Sequence, residues 1–178
     1  RSGFQGLYLE GYTTIPEAYD SLQATLADGF VVAKNNVRLL PDGAVGRQRA
    51  GIINVSVANL RSKPGHSQEL ATQALMGTPI EVLDFQDGWY LVRTPDRYIA
   101  WLEPGAFVRM TKKEAIAWSN ADLICYLAPS GDVIDTLNTV DIDRVSDLVA
   151  GNLLKRTGRS TEQHTQVELP DGTTGWVF

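Results

Sequence analysis

The chain has 178 residues, 43% of them hydrophobic and 21% charged, with a formal net charge of −5. This length allows one large or two small domains of ordinary globular composition. The negative charge argues against a nucleic-acid partner, and the single cysteine excludes an internal disulfide. No apolar run is long enough to be a membrane span. The chain starts at Arg1 instead of Met, so we expect that any export signal has already been removed.

The first predicted element is a helix that ends at Ala27. Thr14 is the expected N-cap, Pro16 suits the first turn, and Gly29 can end the helix in a left-handed turn. One helix face carries apolar side chains at helical spacing, namely Ala18, Tyr19, Leu22 and Leu26. We therefore expect this face to be buried.

Two predicted strands follow the helix. Residues 30–34 and 37–40 are rich in Val and Leu, and the asparagines at 35–36 are expected to separate them. We assign residues 1–50 to an N-terminal helix-plus-strand segment that packs on the remainder of the chain.

Two later stretches look like copies of one unit. The first ends at Leu102 and the second at Val177, and the first keeps the more regular pattern. Each reads as a strand, a glycine turn, another strand, a Pro-Asp turn and a short strand with a tryptophan. The clearest tight-turn signals are the Asp-Gly pairs at 87–88 and 171–172. Such duplicated short strands predict a mainly β fold of two small barrels, at residues 51–110 and 111–178.

A short helical connector is predicted between the two copies. Thr111 and Glu114 have the spacing of a capping box at its start. The connector region is too apolar for a free linker, because Phe107, Ile116 and Trp118 need burial. We therefore expect it to hold the two barrels rigidly together.

Several motifs of the first copy, taken in order, resemble a bacterial SH3-like domain. They are Asn-Leu-Arg at 59–61, Pro64, Gly-Thr-Pro at 77–79, Gly-Trp-Tyr at 88–90 and Ala-Trp-Leu at 100–102. The family usually has Gly where this chain has Ala100. The second copy is a weaker match, which lacks the Asn-Leu-Arg opening and keeps Gly-Trp-Val at its end. The resemblance implies two SH3-like β-barrels in tandem.

This pairing resembles the tandem SH3-like region that precedes the catalytic domain in NlpC-type cell-wall cysteine peptidases. Those enzymes are γ-D-glutamyl-diamino-acid endopeptidases, which cleave peptidoglycan stem peptides, and residues 72–77 are close to a stretch they carry. The resemblance covers about residues 51–178. It implies a following peptidase domain with a Cys nucleophile in an Asp-Cys-Ser/Ala-Gly context. The sequence to Phe178 has no such motif, so we expect this chain to be non-catalytic by itself.

The resemblance also implies a ligand site in the first barrel. In those peptidases an acid and a tyrosine recognise the free amine of the L-Ala end. The tyrosine matches Tyr98, but the position of the acid is Ala71, so we expect Glu69 to substitute for it. Trp89 and Tyr90 are further candidates, because aromatic side chains give a large, rigid contact area.

The other two tryptophans are given a structural role. Trp101 and Trp176 occupy the same place near the end of each copy. We expect them to fill the barrel cores.

The residues that could support catalysis or metal binding are better explained by structural or solvent-exposed roles. Cys125 lies in an apolar run and is expected to be a buried thiol, with nucleophilic catalysis as the alternative. His66 and His164 are expected to be solvent-facing loop residues. Asp141 and Asp143 alternate along a predicted strand, where a solvated face is favoured over a calcium or hydrolytic site. We therefore expect no catalytic residue, no metal site and no cofactor.

Two functions remain open. The first is a non-catalytic region of an exported protein of the periplasm or cell envelope, which binds cell wall and gates substrate entry. Its expected partners are a peptidoglycan stem peptide or cell-wall fragment and a C-terminal peptidase domain, with no nucleic acid and no membrane span. The alternative is a stand-alone envelope binding or scaffold protein with the same tandem domains.

Overall fold

The computed structural model describes residues 6–138 and 142–178. Its elements are mainly strands, with two short α-helices, which confirms the predicted fold class. The chain divides into two compact units, Arg1–Ala44 and Val45–Phe178.

The first unit is a β-α-β arrangement. Strand β1 (Leu7–Thr13) is followed by helix α1 (Pro16–Ala27) and strand β2 (Val32–Leu39), which pairs with β1 in parallel. Parallel neighbours need a crossover connection, and α1 supplies it. Strand β1 was not anticipated from the sequence.

Two predictions for this unit were wrong, namely the helix N-cap and the break between the two predicted strands. Ile15, not Thr14, is the N-cap of α1, and no side chain caps the helix; the amide of Ile15 donates instead to Thr13 Oγ1 at 3.1 Å. Strand β2 also runs without a break through Asn35 and Asn36. These two residues pair with β1, so the parallel ladder overrides their weak strand propensity.

The apolar face of α1 is only partly covered. Tyr19, Leu22 and Leu26 are half-buried, and Ala18 is exposed. Pro16 occupies the first turn as predicted, and Gly29 follows the helix with a φ of +135°. The expected burial of this face is therefore met in part, and its packing on the rest of the chain stays a prediction.

The second unit begins with a seven-stranded antiparallel sheet, here called the first sheet. Its strands are β3 (Ala50–Ile53), β4 (Val57–Arg61), β5 (Leu70–Leu75), β6 (Pro79–Gln86), β7 (Trp89–Arg93), β8 (Ile99–Leu102) and β9 (Phe107–Met110). In space they follow the order β5-β4-β8-β7-β6-β3-β9. The alternating burial of β4 and β8 places their inward side chains, such as Leu60 and Leu102, in one core.

Helix α2 (Lys112–Ser119) follows the first sheet as the predicted connector. The capping box is confirmed: Glu114 N donates to Thr111 Oγ1, and the Glu114 carboxylate accepts from Thr111 N at 2.7 Å. Trp118 is buried with Ile52 and Met110. The expectation that Ile116 is buried was wrong, since 51% of this residue is exposed.

The last part of the chain forms a six-stranded antiparallel sheet, the second sheet. Its strands are β10 (Leu123–Cys125), β11 (Ser130–Ile134), β12 (Arg144–Val149), β13 (Leu153–Ser160), β14 (Thr165–Glu168) and β15 (Thr174–Val177). Read from β12, the spatial order is β12-β11-β15-β14-β13-β10. Strands β3 to β8 of the first sheet have the same arrangement, with β5 in the place of β12 and β3 in that of β10.

The strand registers agree as well. Arg61 pairs with both Leu70 and Trp101 in the first sheet, just after a bulge. Ile134 pairs in the same way with Arg144 and Trp176 in the second, again after a bulge. The two sheets therefore share connectivity and local irregularities. The domain boundaries at residues 50 and 110 stay a prediction.

The expectation that the tryptophans near the end of each copy fill the barrel cores was wrong. Trp101 and Trp176 are only half-buried, while Leu102 and Val177 beside them point into the cores. Strand alternation explains this, because neighbours in a strand face opposite sides of the sheet. Trp89 is the buried tryptophan of the first sheet, at 8% exposure.

Within the second unit, the two sheets are in direct contact. Met76, the residue that follows β5, is fully buried in the core of the second sheet with Leu148 and Leu154. The amide of Leu153 donates to the carbonyl of Met76 at 3.0 Å. Gly77 lies so close that an added Cβ would be 2.5 Å from that of Leu153.

Polar groups join the sheets beside this apolar contact. Buried Asn152 donates from Nδ2 to the carbonyl of Ser56 at 2.8 Å, and the Ser56 hydroxyl donates to Asp147. Asn54 and Asp171 exchange two hydrogen bonds, of 3.1 and 3.2 Å. These contacts hold the sheets together through specific, satisfied polar pairs.

Candidate functional site

Tyr98 sits in the turn between β7 and β8. The amide of Thr94 donates to the carbonyl of Tyr98 at 3.0 Å, and that of Arg97 donates to the carbonyl of Thr94 at 2.9 Å. Arg97 has a φ of +67°, in the left-handed region that non-glycine residues rarely adopt. The turn therefore holds the Tyr98 backbone firmly, while 51% of the residue remains exposed.

Glu69 is exposed and precedes β5 by one residue. Its carbonyl accepts from the amide of Ser62 at 2.9 Å, and Arg61 Nη1 donates to the carbonyl of Gln68 at 3.1 Å. Backbone contacts thus fix the chain on both sides of the carboxylate. The side chain is free to face solvent or a ligand.

The strand register brings Glu69 and Tyr98 to the same end of the first sheet. Leu70 and Trp101 both pair with Arg61, so β5 and β8 are level there and two strand spacings apart. With strands about 4.8 Å apart, and with Tyr98 about two residues farther than Glu69 along the strand direction, the two residues lie about 12 Å from each other. A small cationic group could reach both side chains.

Trp89 belongs to a different cluster. Its ring meets that of His66 edge to face, with centroids 5.0 Å apart, and His66 Nε2 is 3.8 Å from a carboxylate oxygen of Glu103. No sequence pattern predicts this cluster, because its members lie far apart along the chain. Little of the Trp89 indole is accessible, and its role as a ligand contact stays a prediction.

Tyr90 is half-buried and already engaged within the sheet. Its ring packs against Phe85 and Phe107, with centroid distances of 4.5 and 5.3 Å. Arg109 lies over the ring, 5.0 Å from the centroid, and donates from Nη1 to the Tyr90 hydroxyl at 3.1 Å. These contacts position the side chain, and its role in ligand binding stays a prediction.

The structure does not bring the four candidates into one site. Trp89 starts β7, whereas Tyr98 lies beyond the other end of the β7–β8 hairpin. At about 3.3 Å per residue, the length of β7 separates them by about 13 Å. Tyr98 and Glu69 therefore form one candidate site, and Trp89 lies with His66 elsewhere.

A cleft between the two sheets was missed by the sequence reading. It has a volume of about 430 Å³ and includes polar and charged residues of both sheets, among them Asn54, Arg144, Asp147, Asp171 and Thr173. Burial raises the pKa of Asp171, but hydrogen bonds from Thr173 and Asn54 outweigh it and lower the pKa overall. The Asp171 carboxylate is therefore charged at neutral pH.

The expectation for Cys125 was wrong, because this residue is exposed. It ends the short strand β10, and Ile124 beside it takes the inward position. The prediction for Asp141 and Asp143 can be followed only in part. Asp141 lies outside the described residues, and the backbone carbonyl of Asp143, just before β12, accepts from the amide of Asp135.

No group of three or more His, Cys, Asp or Glu within residues 6–138 and 142–178 is arranged to hold a metal ion. In the same ranges, neither helix has the length and apolar character needed to cross a membrane.

The chain was compared with known protein families and structures. Residues 60–107 match the family model described as the bacterial dipeptidyl-peptidase Sh3 domain. None of the curated proteins matches the chain. The matched residues run from the end of β4 to the start of β9 and include Glu69 and Tyr98.

Solved structures give a second comparison. An NlpC/P60 family protein from Bacillus cereus ATCC 10987 is similar over 72% of this chain, with a TM-score of 0.57 and 18% identity. The alignment covers 53% of that protein, so this chain spans about half its length. At this identity the likeness shows the fold alone.

Two proteins of Trichomonas vaginalis, NlpC1 and NlpC2, are more distant. They cover 74% and 72% of this chain, and 44% and 45% of their own chains, at 9% identity. Their TM-scores of 0.31 and 0.30 are too low to support an argument. Taken with the family match, the Bacillus protein confirms the predicted resemblance to bacterial SH3-like domains of the kind found in NlpC-type proteins.

Proposed function

We propose that this chain is a non-catalytic region that binds bacterial cell wall and gates substrate entry beside an NlpC-type peptidase domain. The observation that carries the proposal is the fixed turn that exposes Tyr98 at the end of the sheet where Glu69 is also exposed. The match of residues 60–107 and the Bacillus NlpC/P60 fold support this context. The chain would then act outside the cytoplasm, in the periplasm or cell envelope.

Recognition would centre on an ammonium group. The Glu69 carboxylate offers a charged acceptor, and the Tyr98 ring offers a polarisable face with a hydroxyl at its edge. Both side chains are exposed, but their backbones are held by turn and strand hydrogen bonds. A free amino end of a peptidoglycan stem peptide fits this pair, because the cation can contact carboxylate and ring together.

We also propose that the two sheets are tandem copies of one SH3-like unit. Their shared strand order, and the matched pairings around Arg61 and Ile134, support a duplication. Only the first copy has a tyrosine at the exposed turn position, since Thr173 occupies it in the second. Recognition of the amino end would therefore belong to the first copy.

The proposal is tested by binding of stem peptides with a free or an acetylated amino end. Glu69→Gln and Tyr98→Ala should each weaken binding of the free-amine peptide about tenfold, as expected for one charge-assisted contact of about 1.5 kcal/mol. Glu162→Gln and Tyr8→Ala are matched controls at exposed positions. Equal binding of both peptides, or equal loss in the controls, would refute the amine site.

A stand-alone envelope binding or scaffold protein is the second candidate. The same domains would then bind intact peptidoglycan, and the accessible aromatic side chains favour a surface of this kind. Retention on purified peptidoglycan that depends on Tyr98, together with no affinity for short free-amine peptides, would favour this candidate over substrate gating.

A further inference from the structure

We infer that the cleft between the two sheets is a second binding site, for a short peptide that carries two ammonium groups and one carboxylate. The cleft has a volume of about 430 Å³. This lies within the range of about 300–1,000 Å³ found for small-molecule sites. It is separate from the exposed turn of Tyr98, and the inference goes beyond the function proposed above.

The position of the cleft follows from the repeat. Its second-sheet wall comes from β12 and from the turn between β14 and β15. The equivalent elements of the first sheet are β5 and the turn that holds Tyr98. Both copies therefore expose the same pair of elements, and in the second copy Asn54 and Val55 of the first sheet close over them.

The charges that line the cleft define its ligand. Asp147 and Asp171 contribute two carboxylates, and Arg144 contributes one guanidinium. A ligand with two ammonium groups and one carboxylate complements this set. Asn54, Ser146 and Thr173 add neutral groups that can hydrogen-bond to a peptide backbone.

The charged side chains that line the cleft retain hydrogen-bonding capacity for a ligand. Asp147 accepts from the Ser56 hydroxyl through Oδ2, which leaves the acceptor capacity of Oδ1. The Arg144 side chain is 67% exposed, and its nearest contact to Asp132 is 3.7 Å, longer than a hydrogen bond. Hydrogen bonds from Thr173 and Asn54 stabilise the charged form of Asp171.

The wall is also firmly built. Asn54 and Asp171 exchange two hydrogen bonds across one end of the cleft, and buried Ser56 and Asn152 join the sheets close to Asp147. A preformed wall reduces the ordering cost that a small ligand would otherwise meet on binding. The cleft is therefore suited to a small polar ligand even though each contact is partly exposed.

Titration of the full chain with the dipeptide alanyl-lysine, followed by amide NMR shifts, tests the inference. The shifts should be largest at Asp147, Asp171 and Thr173. N-acetyl-alanyl-lysine lacks the terminal ammonium, and alanyl-lysine amide lacks the carboxylate. Each should bind about fivefold more weakly than alanyl-lysine, as expected for the loss of one contact of about 1 kcal/mol. Shifts confined to Tyr98 and Glu69 would overturn the cleft assignment.

Isosteric variants of the cleft residues provide a second test. Asp147→Asn and Arg144→Gln should each weaken alanyl-lysine binding about fivefold, while Asp122→Asn and Arg159→Gln, at exposed positions elsewhere, should not. A thermal melt of each variant separates lost binding from lost structure, because Asn can still accept from Ser56. Unchanged binding in both cleft variants would overturn the inference. Because Tyr98→Ala leaves the cleft intact, this result is independent of the amine site.

Discussion

The two β-turns that follow β7 and β14 have the same hydrogen bonds and different surroundings. Thr94 and Tyr98 close the first, and Leu169 and Thr173 close the second, through equivalent backbone contacts. The left-handed position is filled by Arg97 in the first turn and by Gly172 in the second. The second turn is joined to the first sheet through Asn54, whereas the first turn exposes Tyr98.

This difference shows that one turn geometry tolerates different surface residues and different contacts. The turn geometry depends on backbone bonds and a left-handed residue, so its tip is free to vary. In the first copy the turn exposes Tyr98, where the second has Thr173. Both turns carry an aspartate at the equivalent position, and Asp171 of the second copy contacts the neighbouring sheet through Asn54. Substitutions in each copy, and where the copies meet, test this difference.

The largest effect is expected for Met76→Ala. Met76 extends from the first sheet into the core of the second, so its truncation leaves a cavity there and should cost about 4 kcal/mol of unfolding free energy. Amide hydrogen exchange should quicken mainly in β13 and β14. Met110→Ala is the matched control, since Met110 packs with α2 instead. Equal loosening of both sheets in either variant would contradict this assignment.

A somewhat smaller loss is expected for Gly77→Ala. The added Cβ would lie 2.5 Å from Leu153 Cβ, at a φ of +85°, so overlap and backbone strain act together. The expected cost is about 3 kcal/mol in chemical denaturation. Gly88→Ala has a φ of +79° and no atom within 4 Å, so it should cost only about 1 kcal/mol. Similar losses in both variants would mean that the sheets do not meet tightly at Gly77.

The smallest effect concerns the left-handed turn position. Gly172→Ala should destabilise the chain by about 1 kcal/mol, because Gly172 has a φ of +87°. Arg97→Gly should stabilise it by about 0.5 kcal/mol, since relieved strain exceeds the entropy cost of glycine. Thermal melts of the two variants measure both signs. A loss of stability in Arg97→Gly would show that the arginine side chain contributes more than the strain it imposes.

Much of the fold was predictable because turns and caps are local. The Asp-Gly turn at 87–88 and the capping box at Thr111 depend on residues within a few positions of each other, and both appear in the structure. Strand β2 was predicted as two pieces because Asn35 and Asn36 are poor strand formers. Its pairing partner β1 lies more than twenty residues earlier, and no local pattern reveals it.

The candidate site was less predictable for a related reason. The resemblance pointed to Tyr98, and the exposure of the turn agrees with a contact role that stays untested. Strand alternation decides which tryptophan is buried, and a shift of one residue reverses the outcome for Trp101. The cleft between the sheets needs residues 54 and 171 together, and only the folded chain brings them into contact.

Met76 also bears on inheritance and engineering. A segment that ends after the first sheet would expose the large apolar side chain of Met76, which the full chain buries in the core of the second sheet. A segment that contains only the second sheet would have a cavity in its core. Neither sheet by itself is therefore a complete folding unit. Gene fusions and domain swaps should preserve residues 45–178 as one transferable part, with exchange points placed outside it.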